Sequence, residues 1–293
     1  MNSYGRKLRV AVLAGLTAAA MSPATAQVTR ADTFDWTGRL PAGASLRVFG
    51  TDGAITVSRA SGDEVVIHGK RRLHYGQSHD DGRWTEGPIA FERLQDGDNV
   101  TVCAYEADEG SCSADGVHEH SHHHHWESSP SADFTIQVPA GIKLTLGTGD
   151  GDVNVRGAGA EVSASTGDGD ITVEESTGPV HASSGDGRVS ISAATGPVEA
   201  STGDGAVEVH MKSLSQPQDM HFSTGDGSVT LYLPASFSAE LDINTGDGQI
   251  ESDFPLEVQG RLHAPHMHAA IGGGGPTRLS ITTGDGDVRI RKE

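Results

Sequence analysis

The chain has 293 residues, and its 40 acidic residues outnumber 21 basic ones to give a formal net charge of −19. Such a surface repels nucleic acid and anionic lipid, so polynucleotide binding is excluded and no nucleic-acid partner is expected. Only 5% of residues are aromatic while 39 are glycine, which argues for a narrow core lined by Val, Ile and Ala.

Residues 1–26 read as a secretory signal peptide, with Arg6, Lys7 and Arg9 before an apolar run from Val10 to Ala20 and a small-residue cleavage site at Ala24-Thr25-Ala26. Loss of the three leader cations takes the net charge from −19 to −22. No cysteine ends the apolar run, so a lipid anchor is not expected, and no later segment approaches the ~20 apolar residues of a membrane span. The expectation is an exported protein, periplasmic or secreted, with no transmembrane segment in its mature part.

Residues 27–102 form an N-terminal β portion, with Gly50-Thr51-Asp52-Gly53 as a first echo of a turn that recurs later. Residues 103–131 form a cystine- and His-rich insertion. Cys103 and Cys112, the only cysteines, stand nine positions apart in a chain that passes through an oxidising compartment, which predicts a local disulfide closing a hairpin. A rival reading joins both thiolates to the nearby histidines around a metal, but neither cysteine belongs to a Cys-x-x-Cys pair. His118, His120, His122, His123, His124 and His125 lie with Glu119 and Glu127 inside ten residues. Neutral imidazoles are good ligands for Zn(II), Cu(II) and Ni(II), so this tract is the candidate metal site, although a solvated low-complexity loop has the same composition. His263, His266 and His268 form a sparser second group. No cofactor is required by any motif.

Residues 132–293 carry the repeat. The tetrad Thr/Ser-Gly-Asp-Gly begins at Thr148, Thr166, Ser184, Thr202, Thr224, Thr245 and Thr283, at spacings of 18, 18, 18, 22, 21 and 38. The last gap is expected to hold two coils with one degenerate turn between them. Alternating apolar residues follow most tetrads, as in Val153 and Val155 or Ile171 and Val173, and mark half-buried strands. A second turn, at Thr177-Gly178-Pro179 and Thr195-Gly196-Pro197, leads into a second short strand. One coil is thus two strands and two turns. Stacked coils pair edge to edge with a rise of ~4.8 Å and enclose a shared core, with Ala164, Ala182 and Ala200 at equivalent inward places. The predicted class is all-β, a β-solenoid of 18–22-residue coils with a disordered or loop-like His-rich insertion.

Glycine in the tetrad is expected to supply positive φ, and Asp to accept backbone N–H groups. Stacking also places Asp150, Asp168, Asp186, Asp204, Asp226, Asp247 and Asp285 in one column. Neighbouring carboxylates ~5 Å apart in water repel by roughly 0.8 kcal/mol, tolerable if the column faces solvent.

The words Leu40-Pro-Ala-Gly-Ala-Ser-Leu46, Phe134-Thr-Ile-Gln-Val-Pro-Ala-Gly141, the Gly-Asp-Gly coils, Leu233-Pro-Ala235, Asp253-Phe-Pro255 and Ile271-Gly-Gly-Gly-Gly-Pro-Thr-Arg-Leu279 occur in an order that resembles the bacterial "putative adhesin" domain-of-unknown-function family of β-solenoid repeat proteins. The resemblance implies a fold and an envelope location and no particular activity. The His-rich stretch departs from the family pattern.

Gly-Asp-Gly-Asp is also similar to pieces of the calcium-binding β-roll, whose coil has two equal halves. Here Thr166 to Thr177 is 11 residues and Thr177 to Ser184 is 7, and the second turn holds no acid, which argues against calcium. The carboxylates belong mostly to the repeat, and the chain contains no Gly-x-Ser-x-Gly nucleophile motif and no phosphate loop, so no enzymatic activity is expected. The role expected is a structural or adhesive one toward an envelope or extracellular protein or polysaccharide, through a contact face that includes Ser165, Ser183, Ser201 and Asn244. The alternative is periplasmic binding of divalent transition metals.

Overall fold

A computed structural model describes residues 25–72, 88–119, 131–214, 216–259 and 266–293, and every regular element among them is a β-strand. The N-terminal strands are β1 (Thr25–Thr29), β2 (Thr33–Gly38), β3 (Ser45–Phe49), β4 (Ile55–Arg59), β5 (Val65–Arg72), β6 (Ile89–Asp96) and β7 (Asn99–Glu106). A hairpin of β8 (Gly110–Ser113) and β9 (Gly116–Glu119) follows, then β10 (Ser131–Val138). The repeat region comprises β11 (Lys143–Thr148), β12 (Val153–Arg156), β13 (Glu161–Thr166), β14 (Ile171–Glu174), β15 (Val180–Ser184), β16 (Val189–Ala194), β17 (Val198–Thr202), β18 (Val207–Met211), β19 (Met220–Thr224) and β20 (Val229–Leu233). The chain ends with β21 (Ala239–Thr245), β22 (Ile250–Ser252), β23 (Glu257–Gln259), β24 (His266–Ile271), β25 (Arg278–Thr283) and β26 (Val288–Lys292).

Two long sheets face each other. The thirteen-stranded sheet runs β1-β6-β7-β3-β11-β13-β15-β17-β19-β25-β21-β24-β23, and the eleven-stranded sheet runs β2-β5-β10-β4-β12-β14-β16-β18-β20-β26-β22. Each coil contributes one strand to the first sheet, turns at its tetrad, contributes one strand to the second, and returns through the second turn. Pairing between coils is parallel and in register, so like residues stack: Val162 on Val180 on Val198, and Val153 on Ile171 on Val189. Because side chains alternate along each strand, these stacked Val, Ile and Leu residues all point between the sheets and are buried. The column Ala164, Ala182, Ala200 is buried too and continues into Phe222, Ile281 and Ile243. This is a β-solenoid.

Coil order in space departs from coil order in sequence at both ends. At the N-terminal end, β10 lies outside β4, so the chain must cross the β3–β4 coil to begin β11 on its other side. At the far end, β25 pairs with both β19 and β21, and β26 with both β20 and β22. The last coil therefore sits between two coils that precede it. Among its described residues the 38-residue gap holds no degenerate parallel coil; it contains β23 and β24, which pair antiparallel on the end of the first sheet beyond β21.

The tetrad works differently from the sequence expectation. None of its glycines has positive φ. A Cβ built on Gly167 would stand 2.7 Å from Gly149 O of the preceding coil, one on Gly225 2.6 Å from Gly203 O, and the second glycines, such as Gly187 above Gly169, would overlap their neighbours further. Glycine is required because backbones touch. The first glycine N–H donates to the first glycine carbonyl of the coil below, as from Gly185 to Gly167 (2.6 Å) and Gly284 to Gly225 (2.7 Å), which carries the ladder around the corner.

The hydroxyl residue opening each tetrad points inward and is only 3–9% exposed. Thr202 Oγ1 donates to Gly187 O (2.8 Å) and accepts from Gly205 N–H (3.3 Å); Ser184 and Thr224 repeat this with Gly169 and Gly187, and with Gly205 and Gly227. Each hydroxyl thus ties its own turn to the one below.

Two substitutions separate these roles. Gly187→Ala forces a methyl into the carbonyl stack and is expected to cost about 3 kcal/mol, the upper end for overpacking. Thr202→Val keeps the volume but strands a buried carbonyl, and is expected to cost about 1–3 kcal/mol. Urea unfolding with an unchanged m-value is the measurement; a Gly187→Ala protein as stable as the parent contradicts the packing assignment.

Candidate functional site

The residue just before each tetrad faces outward on the thirteen-stranded sheet. In register across six coils these are Ser165, Ser183, Ser201, Ser223, Thr282 and Asn244, all exposed or half-buried. Ser201 Oγ donates to Ser183 Oγ at 3.1 Å. The four residues named from sequence stand in this one column, with Ser223 and Thr282 between Ser201 and Asn244. Their common signal was available, since each occupies the position preceding a tetrad. The column is flat because every member is small. A parallel outward column two positions earlier carries His181, Glu199, His221, Ser280 and Asp242, where His181 Nδ1 lies 2.9 Å from Glu199 and His268 Nδ1 3.6 Å from Asp242.

The hydroxyl column stops at Gly147, where a Cβ would stand 2.8 Å from the Phe49 ring. Of the seven phenylalanines only Phe49 is not buried. It lies beneath the β8–β9 hairpin in a small second core with Ala90, Cys103, Tyr105, Cys112 and Val117. A disulfide joins Cys103 in β7 to Cys112 in β8, with Cα atoms 5.8 Å apart, and so pins the hairpin to the outer face of the sheet. β7 runs through Cys103 to Glu106, so the start of the insertion is a continuous part of the sheet. Between hairpin and tetrads a groove of about 550 Å³ is lined by Phe49, Asp52, Asp115, Thr148 and Ser165. His118 is exposed on β9 with Nε2 2.8 Å from Ser113 Oγ. His120, His122, His123, His124 and His125, and His263 of the second group, lie outside the described residues; His266 and His268 lie exposed on β24.

Asp150, Asp168, Asp186, Asp204, Asp226, Asp247 and Asp285 all stand exposed on the tetrad edge. The expected capture of backbone N–H groups by these carboxylates does not occur among the described residues. The acid that follows the tetrad does it: Asp152 accepts from Asp170 N–H (2.9 Å), Asp170 from Arg188 N–H (2.7 Å) and Asp287 from Gln249 N–H (2.9 Å). In the tetrad the carboxylate points away from the stack, whereas two residues later it lies along the coil edge within reach of the next N–H. Sequence spacing alone does not separate the two positions.

Under the hairpin, the Tyr105 hydroxyl donates to Glu92 Oε2 at 2.6 Å, and Cys112 N–H donates to the same carboxylate at 3.3 Å. Burial, and then the hydrogen bond to Glu92 and its negative charge, raise the Tyr105 pKa well above the usual tyrosine value of about 10. The unfolded chain loses this proton first, so the contribution to stability is full below pH ~10 and declines as pH rises beyond it. Tyr105→Phe is expected to flatten the decline in urea midpoint between pH 9 and 11; an identical slope in both proteins removes the assignment.

The fold and its outward column define a class: a β-solenoid scaffold with an extended polar sheet face and a clipped hairpin at one end. No helix among the described residues is long and apolar enough to cross a membrane. The family model described as Toastrack DUF4097 matches residues 127–291, more than half of the chain, and the chain belongs to that family. The match begins after the hairpin, leaving the N-terminal strands outside it. Two solved structures are similar: a "putative cell adhesion protein" from Clostridium sporogenes ATCC 15579, at 12% identity and TM-score 0.39 over 92% of this chain and 100% of that one, and a "putative adhesin" from Bacteroides fragilis NCTC 9343, at 10% identity and TM-score 0.35 over 88% and 96%. No curated protein matches the chain.

Proposed function

We propose that the chain is an exported, non-enzymatic interaction scaffold of the bacterial envelope, periplasmic or secreted, that presents the outer face of its thirteen-stranded sheet to a protein or polysaccharide. The observation that carries the reading is the column of small hydroxyl and amide side chains from Ser165 to Asn244, in register over six coils. Repeat proteins use such extended surfaces for binding, and small residues let a partner approach the strands along their length. Support for export comes from the leader-like residues 1–26 and from a disulfide suited to an oxidising compartment. The repeat's carboxylates occupy equivalent turn positions, a pattern that serves a scaffold better than the irregular acid–base pair of a glycosidase.

The test uses the immobilised mature protein against fractionated envelope proteins and surface polysaccharides. Ser183→Glu/Ser201→Glu is expected to reduce retention of whichever fraction binds at least tenfold with an unchanged melting temperature. Equal retention by parent and variant overturns the contact face.

A second reading is binding of Zn(II), Cu(II) or Ni(II) by the His-rich insertion. It is favoured by the disulfide-pinned hairpin, which ends by presenting exposed His118 at the start of the tract. Calorimetric titration of the parent, and of a variant with Ser at His120 and His122 to His125, is expected to show tighter than micromolar binding only in the parent. Micromolar or weaker affinity leaves the tract as a solvated loop.

A further inference from the structure

The edge opposite the Asp column differs from it in both charge and backbone. A groove of about 840 Å³ runs along the second turns from the end of β4 to the end of β18, and its lining includes Arg59, Arg156, Glu175, Ala193 and Lys212. Those ends lie on five successive coils, so the groove extends roughly 19 Å along the axis at ~4.8 Å per step. At this edge Gly157 (φ 60°), Glu175 (φ 58°) and Ala193 (φ 53°) are left-handed, each just past or near the end of its strand in successive coils. Glu175 and Ala193 are the only non-glycine residues with positive φ among the described residues. The pairing of β16 with β18 also shifts register between Ile191 and Ala194. Glycine fills this conformation without strain, whereas Glu and Ala each hold it at a cost of order 1–3 kcal/mol. Bulges of this kind bend a sheet edge and re-aim its side chains.

The charges are distributed unevenly. Arg156 is shared between Glu174 (3.4 Å) and Glu175 (4.0 Å). Arg59 and Lys212 have no ion-pair partner among the described residues, and they stand at opposite ends of the groove. In a chain of net charge −19, uncompensated cations facing a groove lower the repulsion that an anion meets there.

From this we infer that the second-turn groove binds an acidic polysaccharide whose carboxylates are spaced by neutral sugar units. Charge density selects this occupant over a nucleic acid. A nucleic-acid strand carries one phosphate per ~3.4 Å, so five or six would lie over the groove against two uncompensated cations and an acidic protein. The groove also lacks an aromatic ring on which a base could stack. A polymer with sparse carboxylates can place one at Arg59 and another at Lys212 while its neutral sugars pass Thr177 and Thr195 between them.

The experiment titrates the full mature protein with hyaluronan oligosaccharides, whose carboxylate falls on every second sugar, with dextran and single-stranded DNA as comparators. Binding of hyaluronan is expected to weaken at least tenfold between 20 and 200 mM salt. It should fall at least tenfold in Arg59→Gln/Lys212→Gln and persist in Arg59→Lys/Lys212→Arg, with all proteins melting alike. No hyaluronan binding, binding unchanged in the Gln variant, equal affinity for dextran, or tighter binding of DNA each overturns the proposal. Salt-sensitive self-association that is lost in the Gln variant also overturns it, by assigning the groove to the Asp edge of a second copy.

Discussion

In each tetrad, the carbonyl of one coil occupies the space that a Cβ of the next coil would need. That contact sets how closely coils can stack, and the rest of the molecule follows from it. Glycine is obligatory at both positions, the opening hydroxyl has a carbonyl below and an N–H beside it to satisfy, and the strands leaving the turn begin in register. The spacing of the tetrads can then vary only on the other side of the coil. The four extra residues between Thr202 and Thr224 fall between β18 and β19, and the three extra before Thr245 between β20 and β21. One edge is conservative in geometry and the other is free.

This division locates where the solenoid can differ from a bare scaffold. The tetrad edge is uniform, with exposed carboxylates and hydrogen bonds used up within the stack. The second-turn edge accommodates bulges, left-handed residues and cations. The outer sheet face is uniform along the repeat and ends under the hairpin, where Phe49 replaces the next hydroxyl. Specific recognition needs a place where the pattern stops, and both the hairpin end and the second-turn edge provide one.

Much of this was legible in the sequence. The near-constant spacing of the tetrads and the alternation behind them specify two strands per coil, because only stacked coils bury that pattern. The outward place of Ser165, Ser183 and Ser201 followed from the same alternation. What escaped had a physical reason in each case. Glycine at a turn suggests positive φ from local chemistry, whereas here the demand comes from the neighbouring coil, 18 residues away in sequence. Asp150 and Asp152 are both acids beside a glycine, and only their orientation to the next coil separates a solvated carboxylate from one that binds a backbone N–H. Strand order at the ends was hidden too, since Thr245 and Thr283 have the same local sequence and nothing in it says which lies outermost.

The placement of the last coil bears on how the molecule is completed. β25 and β26 lie inside β21 and β22 in space although they follow them in sequence, so β21 and β22 have no parallel neighbour on their inner side until Arg278–Thr283 and Val288–Lys292 arrive. Chain synthesis and any N-to-C passage across a membrane therefore deliver the closing piece after the coil it holds. The segment of β25 and β26 serves as a keystone: a chain cut short before Arg278 would lack more than one coil, because the coil of β21 and β22 would lose its attachment to the stack.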